Sequence, residues 1–426
     1  MSVTRLDTPF LDGAVRSTNY FNGRILSRED MQRDRDADLA IHQRFGQALG
    51  EGIVRGFEVD MESLGGSSVQ NPIVNVRPGL AVNRLGQTVA LDRNVQVSLL
   101  KPSAADTTTA TPLSGQFNDC APPDNNIYVT GTGVYLLSVA PAQTKQGLAL
   151  VSGLGNDSAR CNAKEVVEGV QFRLFQVKGL SNAELADEAH LQNVAAYKFF
   201  LAAGAGGEMV RDPFASSVSL PVATDPLLTD CDVPLALLYW TALGGLRWVD
   251  LWSVRRRLAS EALPGNVPVG PAPHLVALGE AMLFQFQDQI QSLRASVPPP
   301  QRASDAFRWL PPAGLLTLGG ISGAVGFDST TFFSGFTTRG PMFMEGAQVR
   351  AFLRLAAAFP PVKVGDPELV WLYLVRENRQ PLDSVTPAQP YLIFALGRLP
   401  SQVVPRFDVS HWDYANYALD NECTGL

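Results

Sequence analysis

Apolar residues recur along this chain in two rhythms, and the change from one to the other predicts its elements. Ser27 followed by Arg28, Glu29 and Asp30 reads as an N-cap with an acidic first turn, opening a helix that runs to about Leu49. Met31, Ile41, Phe45 and Leu49 fall at helical spacing, but Asp34 and Asp38 share their stripe, so the first half cannot enter a dry core. It must face water, a partner or paired arginines. Glycines at 46, 50, 52 and 56 break the helix, and "GIVRGFEVDM" then alternates as a strand.

From Pro72 to Leu100, period-two apolar positions are punctuated at Arg77-Pro78-Gly79, Leu85-Gly86-Gln87 and Asp92-Arg93-Asn94, which predicts an antiparallel meander. A polar, Thr-rich loop (103–119) follows, and "IYVTGTGVYLLSVAP" and "VVEGVQFRLFQVK" resume the strand pattern. Residues 183–203 predict a helix, and "PLALLYWTALGGLRWVDLWSVRRRL" predicts two strands around Gly244-Gly245. "PGNVPVGPAP" (264–273) is a linker by its Pro and Gly density. Beyond it, Leu275, Leu278, Met282, Phe286, Ile290 and Leu293 form one helical stripe whose other faces carry glutamines rather than charges. Such a helix seeks a partner, either a sister subunit or another part of its own chain. The remainder reads as a helix over about 345–358 and strands "ELVWLYLVRE" and "PYLIFALG". A final tail holds aromatics, Trp412 and Tyr414 among them, that are expected to dock.

These elements predict a β-rich α+β fold: antiparallel meander or sandwich-like domains with a few interaction helices. Four units are expected: an N-terminal helix with its meander (1–110), a β-rich centre (111–263), a Pro-rich linker with an amphipathic helix (264–300), and a C-terminal α+β unit (301–426). At 426 residues and 46% hydrophobic side chains, the chain is long enough for several real cores. A net charge of −7 without a basic run argues against nucleic acid as a partner. The 28 arginines against six lysines suit bidentate interface contacts. The opening "MSVTRLDTPFLDG" lacks a signal-peptide pattern, and the longest apolar stretch, Val233 to Leu246, is too short for a membrane span of ~20 residues. Assembly in the cytoplasm is expected. The four cysteines (120, 161, 231, 423) show no CxxC spacing; free buried thiols are expected, with Cys120 and Cys161 as the pair to form if oxidised.

Candidate chemistry is thin. Glu29, Asp30, Asp34, Asp36 and Asp38 could supply paired carboxylates for glycoside hydrolysis, but the interleaved Arg28, Arg33 and Arg35 fit self-neutralising pairs better. Histidines 42, 190, 274 and 411 stand alone, and "LGGISGAVGF" lacks the spacing of a phosphate loop. Cys231 has no nearby histidine to mark a nucleophile, and Trp240, Trp248 and Trp252 could stack a sugar or fill a core. No catalytic, metal or cofactor site is expected.

"YFNGRILSREDMQRDRD" followed by "GEGIVRGFEV" and "VRPGLAVNRLGQTVAL", and later "CNAKEVVEGVQFRLF", "CDVPLALLYWT", "LRWVDLWSVRRRL" and "FRWLPPAGLL", resemble in order a group of bacterial proteins encoded with contractile injection systems. These are phage-tail-like particles with a sheath, tube and baseplate. The resemblance implies a non-enzymatic structural subunit, baseplate or tail-associated, whose partners are other particle subunits and further copies of itself. It implies release in an extracellular particle. A fibre-like subunit contacting a glycan or cell surface is the alternative, and a glycosidase the third. The expected contact residues are Tyr20, Phe21, Met31, Asp34 and Asp38, the stripe Leu275, Met282, Phe286, Ile290 and Leu293, and Trp412 and Tyr414 of the tail.

Overall fold

The computed structural model describes residues 14–61, 72–100, 120, 129, 131–150, 161–205, 228–258, 273–295, 301–318, 326–357, 359–366, 368–376 and 391–396. They form a β-rich α+β structure. Helix α1 (Arg28–Leu49) begins at Ser27, whose Oγ accepts from the Asp30 N–H while the Asp30 carboxylate accepts from the Ser27 N–H, a reciprocal cap.

Six short strands follow: β1 (Gly52–Gly56), β2 (Val59–Met61), β3 (Ile73–Val76), β4 (Gly79–Val82), β5 (Thr88–Leu91) and β6 (Val95–Ser98). The expected meander is present, but each of its three legs bends over a corner, so that the strands divide into two sheets, β1-β4-β5 and β2-β3-β6. At the first corner, Gly56 and Phe57 both adopt positive φ (68° and 58°). A left-handed Phe is strained by roughly 1–3 kcal/mol. Its ring is fully buried in the core between the sheets, and its N–H still reaches Pro78 O at 3.2 Å, so burial and the continued ladder offset that cost. A side chain at Gly56 would collide with Pro78 O, and one at Gly79 with the Phe57 ring, so close approach requires glycine at both corners.

The meander covers one face of a four-stranded antiparallel sheet, order β10-β9-β7-β8, built from β7 (Gly133–Leu150), β8 (Cys161–Gln176), β9 (Val233–Thr241) and β10 (Gly245–Asp250). Tyr135, Leu137 and Val139 pack with Val59, Val74 and Val76 of the meander. The alternate residues Val134 and Leu136 pack on the other face against Leu191 and Ala195 of α3 (Glu188–Ala205), which follows the single turn α2 (Asn182–Ala186). Both faces are thus buried over the first half of β7, as its nearly continuous apolar run requires. Beyond Val139, where β9 stops, β7 and β8 continue alone as a ribbon to the pair Leu150 and Cys161, about 35 Å further.

Two features tie this sheet together. Arg173 is buried and donates to both carboxylate oxygens of Asp232 at 3.2 and 3.3 Å; Asp232 also accepts from the hydroxyls of Ser138 and Thr229. Beside it, Cys120 and Cys231 form a disulfide. This corrects the expectation of free thiols with Cys120 and Cys161 as the alternative pair. Cys161 lies at the far end of the ribbon, opposite Leu150, whereas Cys231 immediately precedes β9 and shares a small buried cluster with Cys120 and Ala140.

The C-terminal region comprises α4 (Pro273–Ala295), β11 (Trp309–Leu310), β12 (Ala313–Thr317), α5 (Ser329–Phe332), β13 (Thr337–Glu345), α6 (Gly346–Ala356), β14 (Val362–Lys363), β15 (Leu369–Arg376) and β16 (Tyr391–Leu396). Its sheet has the order β12-β16-β15-β13, with β13 parallel to β15 and the other pairs antiparallel. One face carries a phenylalanine-rich core (Phe286, Phe307, Phe332, Phe333, Phe394), and the other is covered by α6 through Phe352 and Ala356. The region joins α3 directly: Asn193 accepts from the N–H groups of Arg308 and Trp309 and donates to Trp309 O, which satisfies a fully buried amide. No helix among the described residues is long and apolar enough to cross a membrane.

Candidate assembly surface

The residues preceding α1 form a strap along it. Thr18 donates its N–H to Asp34 (2.7 Å) and its hydroxyl to the Asp30 carbonyl (2.8 Å), Tyr20 donates its hydroxyl to Asp34, and Arg24 reaches Asp30 at 2.5 Å. Arg33 adds an ion pair to Asp30 at 3.2 Å. Of the two acidic positions that interrupt the apolar stripe, Asp34 is therefore an anchor of the strap, with Asp30 beside it. Asp34 titrates below the ordinary carboxylate range, first because Tyr20 donates to it and then because Thr18 does. Asp30 is lowered chiefly by the Ser27 N–H, and Tyr20 is raised by the same bond that lowers Asp34. A general acid needs the opposite perturbation, a carboxylic acid held protonated near neutrality. Neither Asp30 nor Asp34 provides one.

The strap and α1 leave large apolar side chains in water. Tyr20, Phe21, Ile25 and Leu26 precede the helix, and Met31, Ile41, Phe45 and Leu49 lie along it; all are exposed, Ile25 at 91% and Phe45 at 66%. Only Asp30, Ala37 and Gly46 of the helix are buried. The helix rests on the body through small contacts along one flank. Gly46 meets the β4–β5 turn so closely that a Cβ there would stand 2.1 Å from Gly86 O, Gln47 donates to Leu85 O, and Arg35 pairs with Glu168 of the ribbon at 3.5 Å. The ribbon adds exposed Leu148 and Val166. Asp38 is exposed, and neither its side chain nor that of His42 makes a hydrogen bond to another described residue.

The second expected contact surface turns inward. Met282 packs with Ala196, Tyr197 and Phe200 of α3, while Phe286 and Ile290 lie in the phenylalanine core; all three are buried. Leu293 packs partly buried against the same core. Of the two partners open to this stripe, the chain itself covers Met282, Phe286 and Ile290. The glutamines explain why. Gln285 donates to Asp250 (3.3 Å) and to Gln289 (3.1 Å), Gln289 donates to Ala306 O, and Gln287 donates to Leu315 O (2.9 Å). A neutral amide can be buried when it is bonded, so the glutamines of α4 mark an internal joint. The side chain of Leu275, and Trp412 and Tyr414, lie outside the described residues.

The tryptophans form no common platform. Trp240 packs toward the meander core and Trp248 toward the α3 side, while Trp252 stacks on Phe284 and donates to Asp288. Among the described residues no group of three or more His, Cys, Asp or Glu is placed to hold a metal ion. Sequence reasoning missed Thr18, Ile25, Leu26 and the ribbon. Thr18 acts through backbone and hydroxyl bonds that leave no periodic signature.

Comparison with protein-family models and with curated proteins finds no match to this chain.

Proposed function

We propose that the chain is a non-enzymatic structural subunit of a contractile, phage-tail-like particle, acting through protein–protein assembly at the strap and α1. The observation that carries this reading is the row of exposed apolar side chains from Tyr20 to Leu49, interspersed with paired charges. Monomeric proteins rarely leave contiguous apolar patches above roughly 300–600 Å² in water, and larger ones mark interaction sites. The same segment holds the phrase in which the resemblance to proteins of these particles begins. Assembly occurs in the cytoplasm in this reading, and the Cys120–Cys231 pair closes when the particle reaches an oxidising medium.

The test is sedimentation of an epitope-tagged copy from lysed producer cells. A structural subunit pellets with sheathed particles and stays with them in high salt, because apolar burial is not screened. Recovery only as a free, low-mass species rejects the proposal.

A further inference from the structure

Resting on that assembly reading, we propose that the partner of α1 is a second copy of this chain, docked antiparallel along the exposed stripe. Three observations point to it. First, Met31, Arg35, Asp38, His42, Phe45 and Leu49 follow an alternating four-three spacing, the seam of a paired helix, and all six are exposed, Arg35 while also paired with Glu168 at the edge of the seam. Second, the seam is self-complementary about its own midpoint. Antiparallel pairing sets Met31 opposite Leu49, Arg35 opposite the ring of Phe45, and Asp38 opposite His42. Asp38 and His42 are the two polar seam residues whose side chains make no hydrogen bond among the described residues, and each supplies what the other lacks, an acceptor and an N–H donor. Parallel pairing would instead set Asp38 against Asp38. Third, the area suffices. A fully exposed aromatic offers about 150–250 Å². With the aliphatic residues offering less, the exposed side chains of the strap and seam present on the order of 800 Å², one partner's share of a standard interface. The seam spans about 27 Å from Met31 to Leu49, and the small contacts of Gly46 hold one flank of the helix to its own body while the seam residues stay exposed.

Sedimentation velocity and native mass of the full chain test the pairing. The wild type is expected as a dimer. Phe45→Asp raises the dimer dissociation constant roughly 100-fold or more, as a central aromatic does when truncated. It should leave the far-UV circular dichroism unchanged, because Phe45 is an exposed side chain in the single copy. His42→Asp places a second carboxylate opposite Asp38 and also dissociates the dimer, whereas the exchange variant Asp38→His with His42→Asp restores it. A monomeric wild type, or a dimer indifferent to Phe45→Asp, overturns the pairing; a dimer that the exchange variant fails to restore overturns the antiparallel register. Particle co-sedimentation of the same variants separates this inference from the function. A monomer that still pellets with particles sinks the pairing alone, and a dimer that never pellets sinks the particle role alone.

Discussion

Replacing Phe286 by alanine distinguishes an internal helix from an interface helix. Phe286 is completely buried, with its ring 5.2 Å from Phe307 and 5.3 Å from Phe394. Gly314 faces it so closely that an added Cβ would stand 2.9 Å from the Phe286 ring, which leaves the backbone of β12 little room to fall into the hole. Burial of such a side chain contributes about 1.5–3 kcal/mol, each aromatic pair about 0.5–1.5 more, and an uncollapsed cavity adds to the loss. A cost of about 4 kcal/mol follows, within the range typical of Phe→Ala in a core. A 426-residue chain with several cores need not unfold in two states, so the assay should be local. Hydrogen exchange of peptides 369–376 and 391–396, the strands beside this core, should accelerate by about three decades where opening is in equilibrium. Native mass should not change. Acceleration below tenfold, together with a fall in native mass, would refute the argument and return α4 to the surface.

Three further outcomes test other parts of the structure. The Cys120–Cys231 link closes a separation of 111 residues, so Cys231→Ala should lower stability by roughly 2–5 kcal/mol; urea midpoints that are the same for oxidised and reduced wild type would show that the bond is not formed. Asp232→Ala strands the Arg173 guanidinium, which burial already pulls below its ordinary value against the opposing charge of Asp232, and should cost about 3–5 kcal/mol; Arg173→Met with Asp232→Leu should cost less, and the reverse order in urea titration would contradict this. Asp34 titrates low in the folded chain, so its hold on the strap is complete at neutral pH, begins to fade below about pH 4 and is lost as pH falls through the folded value. Asp34→Asn should flatten that dependence in limited proteolysis of residues 14–24, and an unchanged pH profile would count against the anchor.

Elements with a local cause were legible in the sequence. Ser27 with Asp30 marked the start of α1, alternation marked β3 to β6, and the Gly244-Gly245 turn marked the β9–β10 hairpin. What escaped depends on residues distant in sequence. The bend that divides the meander into two sheets is set by Phe57 meeting Gly79, and the cysteine partner was decided by which strand starts beside β7. β13 was hidden by Gly340-Pro341, a pair that reads as a breaker; the strand tolerates it because it lies at the edge of its sheet. The outer half of the β7–β8 ribbon, "AQTKQGLAL", has too little apolar character to signal a strand, and backbone pairing alone carries it. Within the candidate surface, Tyr20, Phe21 and Met31 were readable, whereas Ile25 and Leu26 lie between strap and cap, where no period exists to register them.

The contrast between α1 and α4 gives the candidate surface its physical logic. Both helices carry a stripe of large apolar residues, yet α4 dilutes its other faces with glutamine and α1 with arginine and aspartate. A helix destined for burial during folding can use amides, because each finds a fixed carbonyl or carboxylate in the same chain, as Gln285, Gln287 and Gln289 do. A helix that must wait in water beside exposed Phe45 and Ile41 needs charges to suppress indiscriminate association. Those charges must then be neutralised within the surface or across the seam, since an unpaired buried charge would oppose docking. Asp30 and Asp34 meet this requirement through the strap before any partner arrives. Asp38 and His42 remain open, and so they are where the identity of the partner should be read first.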